Sequence, residues 1–232
     1  MRAFSLPRAR GFTLIELMIA LLLGLIVIGA IGAVFLSSSR TYRTTESLSR
    51  LQENARFAVQ FISREVQLAG YADAFQRGIV GDGLIYPADS VFSSVGQVIV
   101  GNRVNTSTLA GTDSIEIRYG GSDIAPLRDC LGNQLATSAF VTLRLYVNTN
   151  NQLSCSVNGA NAESLVDGIA DMTIEYGVSD AVDFMSASDL AAAPVSWVDV
   201  VSVKVTLAVL GDAATTGNRK IASVTALRNQ LP

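Results

Sequence analysis

Glu16 is the residue whose chemistry most needs an explanation, because it lies inside the longest apolar stretch of the chain. That stretch covers 12–36, within the sequence RGFTLIELMIALLLGLIVIGAIGAVFLSSSR at 10–40. About 20 apolar residues in a helix cross a bilayer, and a carboxylate at mid-membrane costs about 2.5 to 3.5 kcal/mol, less near the interface. A nearby cation offsets that cost. The sequence therefore predicts an ion-pair partner for Glu16.

Catalytic and metal-binding chemistry is poorly represented in the sequence. The chain contains no histidine, the commonest general base and metal ligand. Gly120-Gly121 lacks the pattern of a phosphate-binding loop, and Lys204 and Lys220 have no nucleophile at a diagnostic spacing. Loop acids could bind calcium, but none stands in an EF-hand pattern: Asp82, Asp123, Asp129, Asp180 and Asp183. We predict a protein that is not an enzyme and uses no cofactor or metal.

The overall composition indicates one globular domain in addition to the apolar stretch. The 232 residues are 49% hydrophobic and 16% charged, which leaves enough apolar side chains outside 12–36 for a core. Lysine and arginine number 17 against 20 aspartates and glutamates, giving a net charge of −3 with no long basic block. This balance disfavours nucleic acid as a partner.

Two cysteines, Cys130 and Cys155, lie in the predicted globular part, too far apart for a CxxC redox or zinc motif. In an exported domain they would form a disulfide, which would stabilise the fold by roughly 3 kcal/mol in the chain-entropy model. Two free thiols are the alternative. We predict the disulfide, because the apolar stretch implies export across a membrane.

Two ordinary interpretations account for the length of the apolar stretch. A signal peptide could be cleaved near Ala30-Ile31-Gly32, although the stretch is long for one. A membrane anchor fits the length, but neither interpretation explains the acid. The N-terminus is predicted to stay in the cytoplasm, because the flank just before the stretch holds more arginines than the flank just after it: Arg2, Arg8 and Arg10 before, Arg40 and Arg43 after.

The helix is predicted to continue through 37–70. No proline or glycine occurs between Ala33 and Ala69, and apolar residues recur there at spacings of three and four: Leu48, Leu51, Ala55, Ala58, Val59, Ile62, Val66 and Ala69. We expect this stripe to pack on the globular domain and the helix to stop at Gly70. The apolar half holds three glycines that could allow local unwinding or close approach of another helix: Gly24, Gly29 and Gly32.

Within 71–232 the apolar pattern changes to a period of two, which is typical of half-buried strands. We predict strands over 115–119, 141–147, 153–157, 172–178, 201–209 and 219–228. The stretches 72–110 and 179–194 are rich in small and polar residues and predict loops. A strand meander covered by the amphipathic helix gives an α+β fold.

The sequence GFTLIEL at 11–17, behind its short basic leader, resembles the class III signal of type IV pilins and type II secretion pseudopilins. The resemblance implies that a prepilin peptidase cuts between Gly11 and Phe12, removes the leader 1–11 and exposes a Phe12 amine that is then N-methylated. In a filament core, Glu16 would pair with the Phe12 amine of a neighbouring subunit, which supplies the missing cation. The helix 12–36 would span the membrane before assembly.

Three further stretches resemble the PilW family of minor pilins: SRLQENARFAVQFISREVQLAGY at 49–71, LVDGIADMTIEYGV at 165–178 and VTALRN at 224–229. The resemblance implies a type IV pilin-like α+β fold, with a long N-terminal helix packed on an antiparallel sheet domain. It implies a minor pilin that initiates pilus assembly at or near the filament tip. Its domain would lie in the periplasm, anchored to the inner membrane, before the chain enters the pilus.

The partners that the resemblance implies are other minor pilins, the major pilin, the prepilin peptidase, the inner-membrane assembly platform and a tip adhesin. Because Glu16 is present, the resemblance argues against the tip-most pseudopilin type, which lacks that acid. Two alternatives stay open at this point. One is a J-type minor pseudopilin of a type II secretion system, and the other is a pilus-borne adhesin or DNA-binding module.

Overall fold

The computed structural model describes most of the chain in these ranges: 11–72, 86–102, 111–122, 126–136, 139–160, 162–179, 181–210 and 219–229. The leader arginines and three of the candidate calcium ligands, Asp82, Asp123 and Asp180, lie outside the described residues. The chain divides into two compact units, Met1–Ser47 and Leu48–Pro232. Each unit is described by itself below.

Helix α1 (Leu14–Leu68) contributes residues to both units. In the first unit, residues 11–38 are all exposed, and the helix runs unbroken through its glycines, so the unwinding considered from the sequence is not seen. In the second unit, the helix buries a stripe at spacings of three and four: Ala55, Ala58, Val59, Ile62 and Val66. It ends before Gly70, whose φ of 72° allows the chain to turn away. The predicted amphipathic continuation is confirmed.

The first sheet has five antiparallel strands in chain order, with consecutive strands paired. They are β1 (Ile99–Asn102), β2 (Ser114–Gly120), β3 (Phe140–Val147), β4 (Gln152–Val157) and β5 (Glu163–Asp167). Alternate residues of β2 and β3 point to the core, and Ile117 lies opposite Leu143 in the register. This face of the sheet is apolar because the side-chain period is two.

The second sheet has four antiparallel strands in the order β7-β6-β8-β9. They are β6 (Ile169–Val178), β7 (Met185–Ser186), β8 (Val200–Val209) and β9 (Arg219–Ala226). A short helix α2 (Ala187–Ala192) and a 3-10 helix (Trp197–Asp199) connect β7 to β8. The last strand in the order, β9, is an edge strand.

Gly168 separates the two sheets. It lies between β5 and β6 with a φ of 84°, a conformation that other residues rarely adopt. A Cβ atom at this position would lie 2.7 Å from Cδ2 of Leu51 on α1. Glycine is therefore required both for the backbone turn and for the close approach of the helix.

Helix α1 and both sheets contribute to one hydrophobic core. Ile62 of α1, Leu143 of the first sheet and Val205 of the second sheet all belong to it. Burial of such side chains is the main favourable term in folding, at roughly 25 cal/mol per Å² of apolar surface. The predicted α+β class, with the helix covering antiparallel strands, is confirmed.

Arg118 holds the segment before β1 against the first sheet. Its side chain is only 4% exposed. It donates to the carbonyl oxygens of Gln97 (2.6 Å) and Pro87 (2.7 Å), and its guanidinium lies 4.3 Å from the ring centroid of Phe92. Burial lowers the pKa of Arg118 from its ordinary value, with nearby Asp89 opposing that shift. These bonds satisfy a buried charge with fixed carbonyl dipoles.

All six predicted strands are present, but two expectations were wrong. The strands form two sheets rather than one meander, because the backbone turns at Gly168. The predicted loops 72–110 and 179–194 also contain structure: β1 pairs with β2 in the first, and β7 with α2 lies in the second. The Ser186 side chain caps α2 by accepting from the Asp189 N–H at 3.2 Å.

Candidate functional site

The candidate site is the start of α1, where Thr13 caps the helix. The Glu16 N–H donates to Thr13 Oγ1 at 3.3 Å, and the Leu17 N–H donates to the Thr13 carbonyl oxygen at 3.2 Å. Thr13 is therefore the N-cap residue, and Glu16 is the third residue of the helix. This arrangement fixes the position of Glu16 on the first turn. The Thr-x-x-Glu spacing typical of a capping box was the sequence signal for this role of Thr13.

Gly11 and Phe12 lie ahead of the helix, in backbone that is neither helix nor strand. Both residues are exposed, and the Phe12 side chain is 84% exposed. An endopeptidase needs an accessible, unfolded backbone at the bond that it cuts. The predicted cleavage bond between Gly11 and Phe12 meets that requirement.

Glu16 is exposed on the first turn of α1, four residues after Phe12. The partial positive charge of a helix N-terminus stabilises a carboxylate there, typically by 0.3 to 1 kcal/mol. That gain is smaller than the roughly 2.5 to 3.5 kcal/mol that an acid costs at the centre of a membrane. At that depth the helix alone would not offset the cost, and a cation from outside the chain would.

The helix surface beyond Glu16 is apolar and exposed. An 18-residue window of α1 has a mean hydropathy of 2.9 and buries none of its residues within the protein. Length and composition are those of a helix that can cross a membrane. A Cβ atom built on Gly24, Gly29 or Gly32 would meet nothing within 4 Å, in keeping with the exposure of this part of the helix.

A second acid on the same helix, Glu65, lies in the opposite kind of environment. Its side chain is fully buried, and Tyr119 Oη lies 3.1 Å from Glu65 Oε2. Burial raises the pKa of Glu65 above its ordinary value of 4.5, and the Tyr119 hydrogen bond and Arg64 oppose that shift. The neighbouring Asp129 adds to it. The neutral acid is therefore favoured at this position relative to an exposed glutamate.

The Tyr119 hydroxyl lies between two oxygen acceptors from different segments. Tyr119 Oη lies 3.1 Å from Glu65 Oε2 and 3.2 Å from the Arg128 carbonyl oxygen, but a phenol has one proton to donate. Tyr119 donates towards Glu65 Oε2 and the Arg128 carbonyl oxygen, so its one proton is shared between two acceptors. The pair thus ties α1 to the segment that carries Cys130.

The predicted disulfide between Cys130 and Cys155 is present, with 6.5 Å between the two Cα atoms. Cys155 lies on β4, and Cys130 lies in the segment between β2 and β3. Asp129, one of the candidate calcium ligands, organises the same segment. Its Oδ1 accepts from the N–H groups of Leu131 and Asn133, each at 2.9 Å. Asp129 therefore stabilises a turn in this structure.

The remaining candidates for chemistry lie apart from one another. Lys204 of β8 pairs with Glu175 of β6 at 2.8 Å, and Lys220 lies at the start of edge strand β9. Among the described residues, no group of three or more acidic, cysteine or histidine side chains could hold a metal ion. The start of α1, the disulfide and the buried Glu65 are therefore the features of the described residues on which a function can be argued.

Comparison with known proteins gives two family matches and two relatives. The model of the type IV pilus-assembly protein W family matches residues 135–231, and the prokaryotic N-terminal methylation motif matches residues 6–32. The chain is 25% identical over 178 residues to the pilin-like protein PilA3 of Thermus thermophilus, covering 74% of this chain and 68% of that protein.

A solved structure is also similar. It is a chain in the GspK-GspI-GspJ complex of the enterotoxigenic Escherichia coli type 2 secretion system, with 12% identity and a TM-score of 0.39. The match covers 67% of this chain and 92% of that chain. The fold assignment depends on the helix and sheets described above, and not on this likeness.

Proposed function

We propose that this chain, which belongs to the PilW family of type IV pilin-like minor pilins, co-assembles with other minor pilins to initiate a pilus at or near its tip. Its chemistry is association rather than catalysis. The observation that carries the proposal is the start of α1. An exposed acid is fixed on the first turn of an exposed apolar helix, directly after an exposed, non-helical Gly11-Phe12 bond.

Processing comes first in the proposed sequence of events. Before cleavage, the helix anchors the chain in the inner membrane with its N-terminus in the cytoplasm and its domain in the periplasm. The disulfide supports an oxidising location for the domain. Prepilin peptidase then cuts after Gly11, and the new Phe12 amine is N-methylated. The cut creates a cation at the end of an apolar helix.

Pairing follows when helices meet in the filament core. Glu16 of one subunit approaches the Phe12 amine of its neighbour, and each charge offsets the desolvation of the other. A shift in axial register would leave both charges unpaired in an apolar environment. Because such an error is costly, the pair fixes the register of one helix against the next. The cap at Thr13 keeps Glu16 on the first turn, next to the chain end where the amine of its own subunit also lies.

The partners proposed for assembly are other minor pilins, the major pilin and the inner-membrane assembly platform. The family match to a type IV pilus-assembly protein supports the pilus over a secretion filament. A J-type pseudopilin role would require co-purification with type II secretion components instead. An adhesin or DNA-binding role has no separate observation in its favour among the described residues.

Mass spectrometry of the protein from its native cells tests the proposal. We expect a mature chain that begins with N-methylated Phe12 and is recovered in sheared pili. A Gly11→Val variant, which blocks the bond to be cut, should remain in the membrane at full length. A protein that still begins at Met1, or that begins near Ala33, would contradict the proposed function. Recovery only with a secretion filament would reassign it to the pseudopilins.

A further inference from the structure

A groove of about 650 Å³ lies between the domain part of α1 and the edge strand β9. Its floor is apolar and is formed by residues from the helix and from the second sheet: Leu48, Leu51, Val59, Val209, Leu210 and Ile221. All of these residues belong to one compact unit. An apolar groove of this size fits several side chains of a bound polypeptide.

Strand β9 forms one wall of the groove and is the last strand of its sheet. It pairs with β8 on one side, so alternate N–H and C=O groups on its other side point away from the sheet. An edge of this kind accepts an additional strand through main-chain hydrogen bonds. Side chains of the added strand would alternate, and one set would point into the groove.

The rim of the groove is cationic. Arg56 of α1 and Arg219 and Lys220 of β9 line it, and none of the described residues that line it is acidic. Among the described residues, none of these three cations has an ion-pair partner. The chain as a whole has a net charge of −3, so this positively charged cluster is opposite in sign to the chain. Such a rim attracts carboxylates and repels basic segments.

We propose that the groove binds an extended, acidic segment of another filament subunit, which adds a strand beside β9. This inference rests on the proposed function, because it assigns the surface that one neighbour uses. Main-chain bonds to β9 supply affinity, the apolar floor takes alternate side chains, and carboxylates pair with the cationic rim. A polypeptide is favoured over nucleic acid, since an apolar floor and a strand edge offer little to a phosphate backbone.

Photo-cross-linking in cells tests the proposal on the full-length chain. A benzophenone amino acid replaces Gln52, which lines the groove and is exposed. The matched position is Glu163, an exposed residue of β5 at the edge of the other sheet. We expect Gln52, but not Glu163, to cross-link to a segment of another subunit in which acidic and apolar residues alternate. A helical segment, a basic segment or nucleic acid at Gln52 would overturn the proposal.

Charge reversal at the rim sharpens the test. The double substitution Arg219→Glu and Lys220→Glu should lower the Gln52 cross-link at least tenfold. Arg228→Glu removes an exposed cation that does not line the groove and should leave the yield unchanged. If the rim only discourages strand pairing, as charges on edge strands often do, the double variant will cross-link as well as the parent or better, which contradicts the proposal.

Cleavage after Gly11, measured in the same cells, distinguishes a failure of the groove assignment from a failure of the proposed function. A cleaved and methylated chain that gives no groove cross-link would overturn the groove assignment while leaving the proposed function intact. A chain that is never cleaved would contradict the proposed function itself.

Discussion

Helix α1 carries two glutamates in opposite situations, and the comparison shows how one helix serves two purposes. Glu16 is exposed in the apolar half, whereas Glu65 is fully buried in the amphipathic half. The protein's own domain supplies the burial and the hydrogen-bond partner of Glu65. For Glu16, we propose that the membrane or the filament supplies the apolar surroundings and that another subunit supplies the partner. One half of the helix packs on its own domain, and under the proposed function the other half packs on neighbouring subunits.

Replacing one isoleucine in each half of the helix should give the largest difference between the two halves. Ile62 is fully buried, whereas Ile26 is 60% exposed. We expect Ile62→Ala to lower the free energy of unfolding of the domain by about 2 to 5 kcal/mol, because it leaves a cavity in the core. Ile26→Ala should leave that free energy unchanged.

Urea unfolding of the full chain in detergent measures both isoleucine variants. The fluorescence of Trp197, the single tryptophan, reports on the domain, since its ring packs against Tyr176 with 4.9 Å between centroids. If both variants lowered the free energy of unfolding equally, the two halves of the helix would not differ in their contribution to domain stability.

The disulfide belongs to the domain half and should have the next largest effect. Replacing both Cys130 and Cys155 by serine should lower the free energy of unfolding by about 3 kcal/mol, because the unfolded chain loses a closed loop of about 25 residues. Incorporation into filaments should fall only as far as the domain is less folded at the growth temperature. A double variant as stable as the parent protein in the same urea titration would contradict the structural role.

Glu65 should make the domain less stable as the pH rises. Its pKa is raised in the folded state relative to the ordinary value of 4.5, so its contribution to stability is full below that value and is lost as the pH rises through the raised pKa. Glu65→Gln keeps an oxygen that accepts from Tyr119 and removes the titratable proton. The variant should therefore gain stability relative to the parent above pH 4.5, by at most about 1.4 kcal/mol per pH unit.

Parallel urea titrations from pH 4 to pH 8 measure this difference. Burial also raises the pKa of Glu116, but that residue is present in both proteins and its effect cancels in the comparison. A difference that stays flat with pH, or that favours the parent protein at high pH, would show that Glu65 is ionised in the fold.

The sequence predicted the regular parts of this molecule well, because their signals are local. The stripe that includes Ala58 and Ile62 repeats at the helical period, and β2 and β3 alternate clearly. Strand β1 has four residues and exists through its pairing with β2, so its own sequence does not reveal it. The chain passes from one sheet to the other at Gly168, which has a positive φ. A glycine in the sequence permits that conformation but does not by itself predict it.

The sequence motif selects the residues of the candidate site, and only the structure gives their geometry. The motif at the N-terminus pointed to Gly11, Phe12 and Glu16, yet the cap at Thr13 was not identified from the same letters. Arg118 alternates with apolar residues as an outward-facing side chain should, but the segment before β1 covers it. Contacts between segments distant in the sequence determine such burial, and a local pattern does not contain them.

The central claim is that Glu16 acts through its charge on a neighbouring amine, and Glu16→Gln tests it most directly. Glutamine is similar in size, keeps the backbone N–H that Thr13 caps, and removes the charge. Glu53→Gln, an exposed position farther along α1, is the matched control. The measurement is the amount of each variant in sheared pili relative to the membrane, with cleavage after Gly11 checked by mass spectrometry. We expect cleaved Glu16→Gln protein to be at least tenfold depleted from pili and Glu53→Gln to be incorporated normally. Normal incorporation of Glu16→Gln would contradict it.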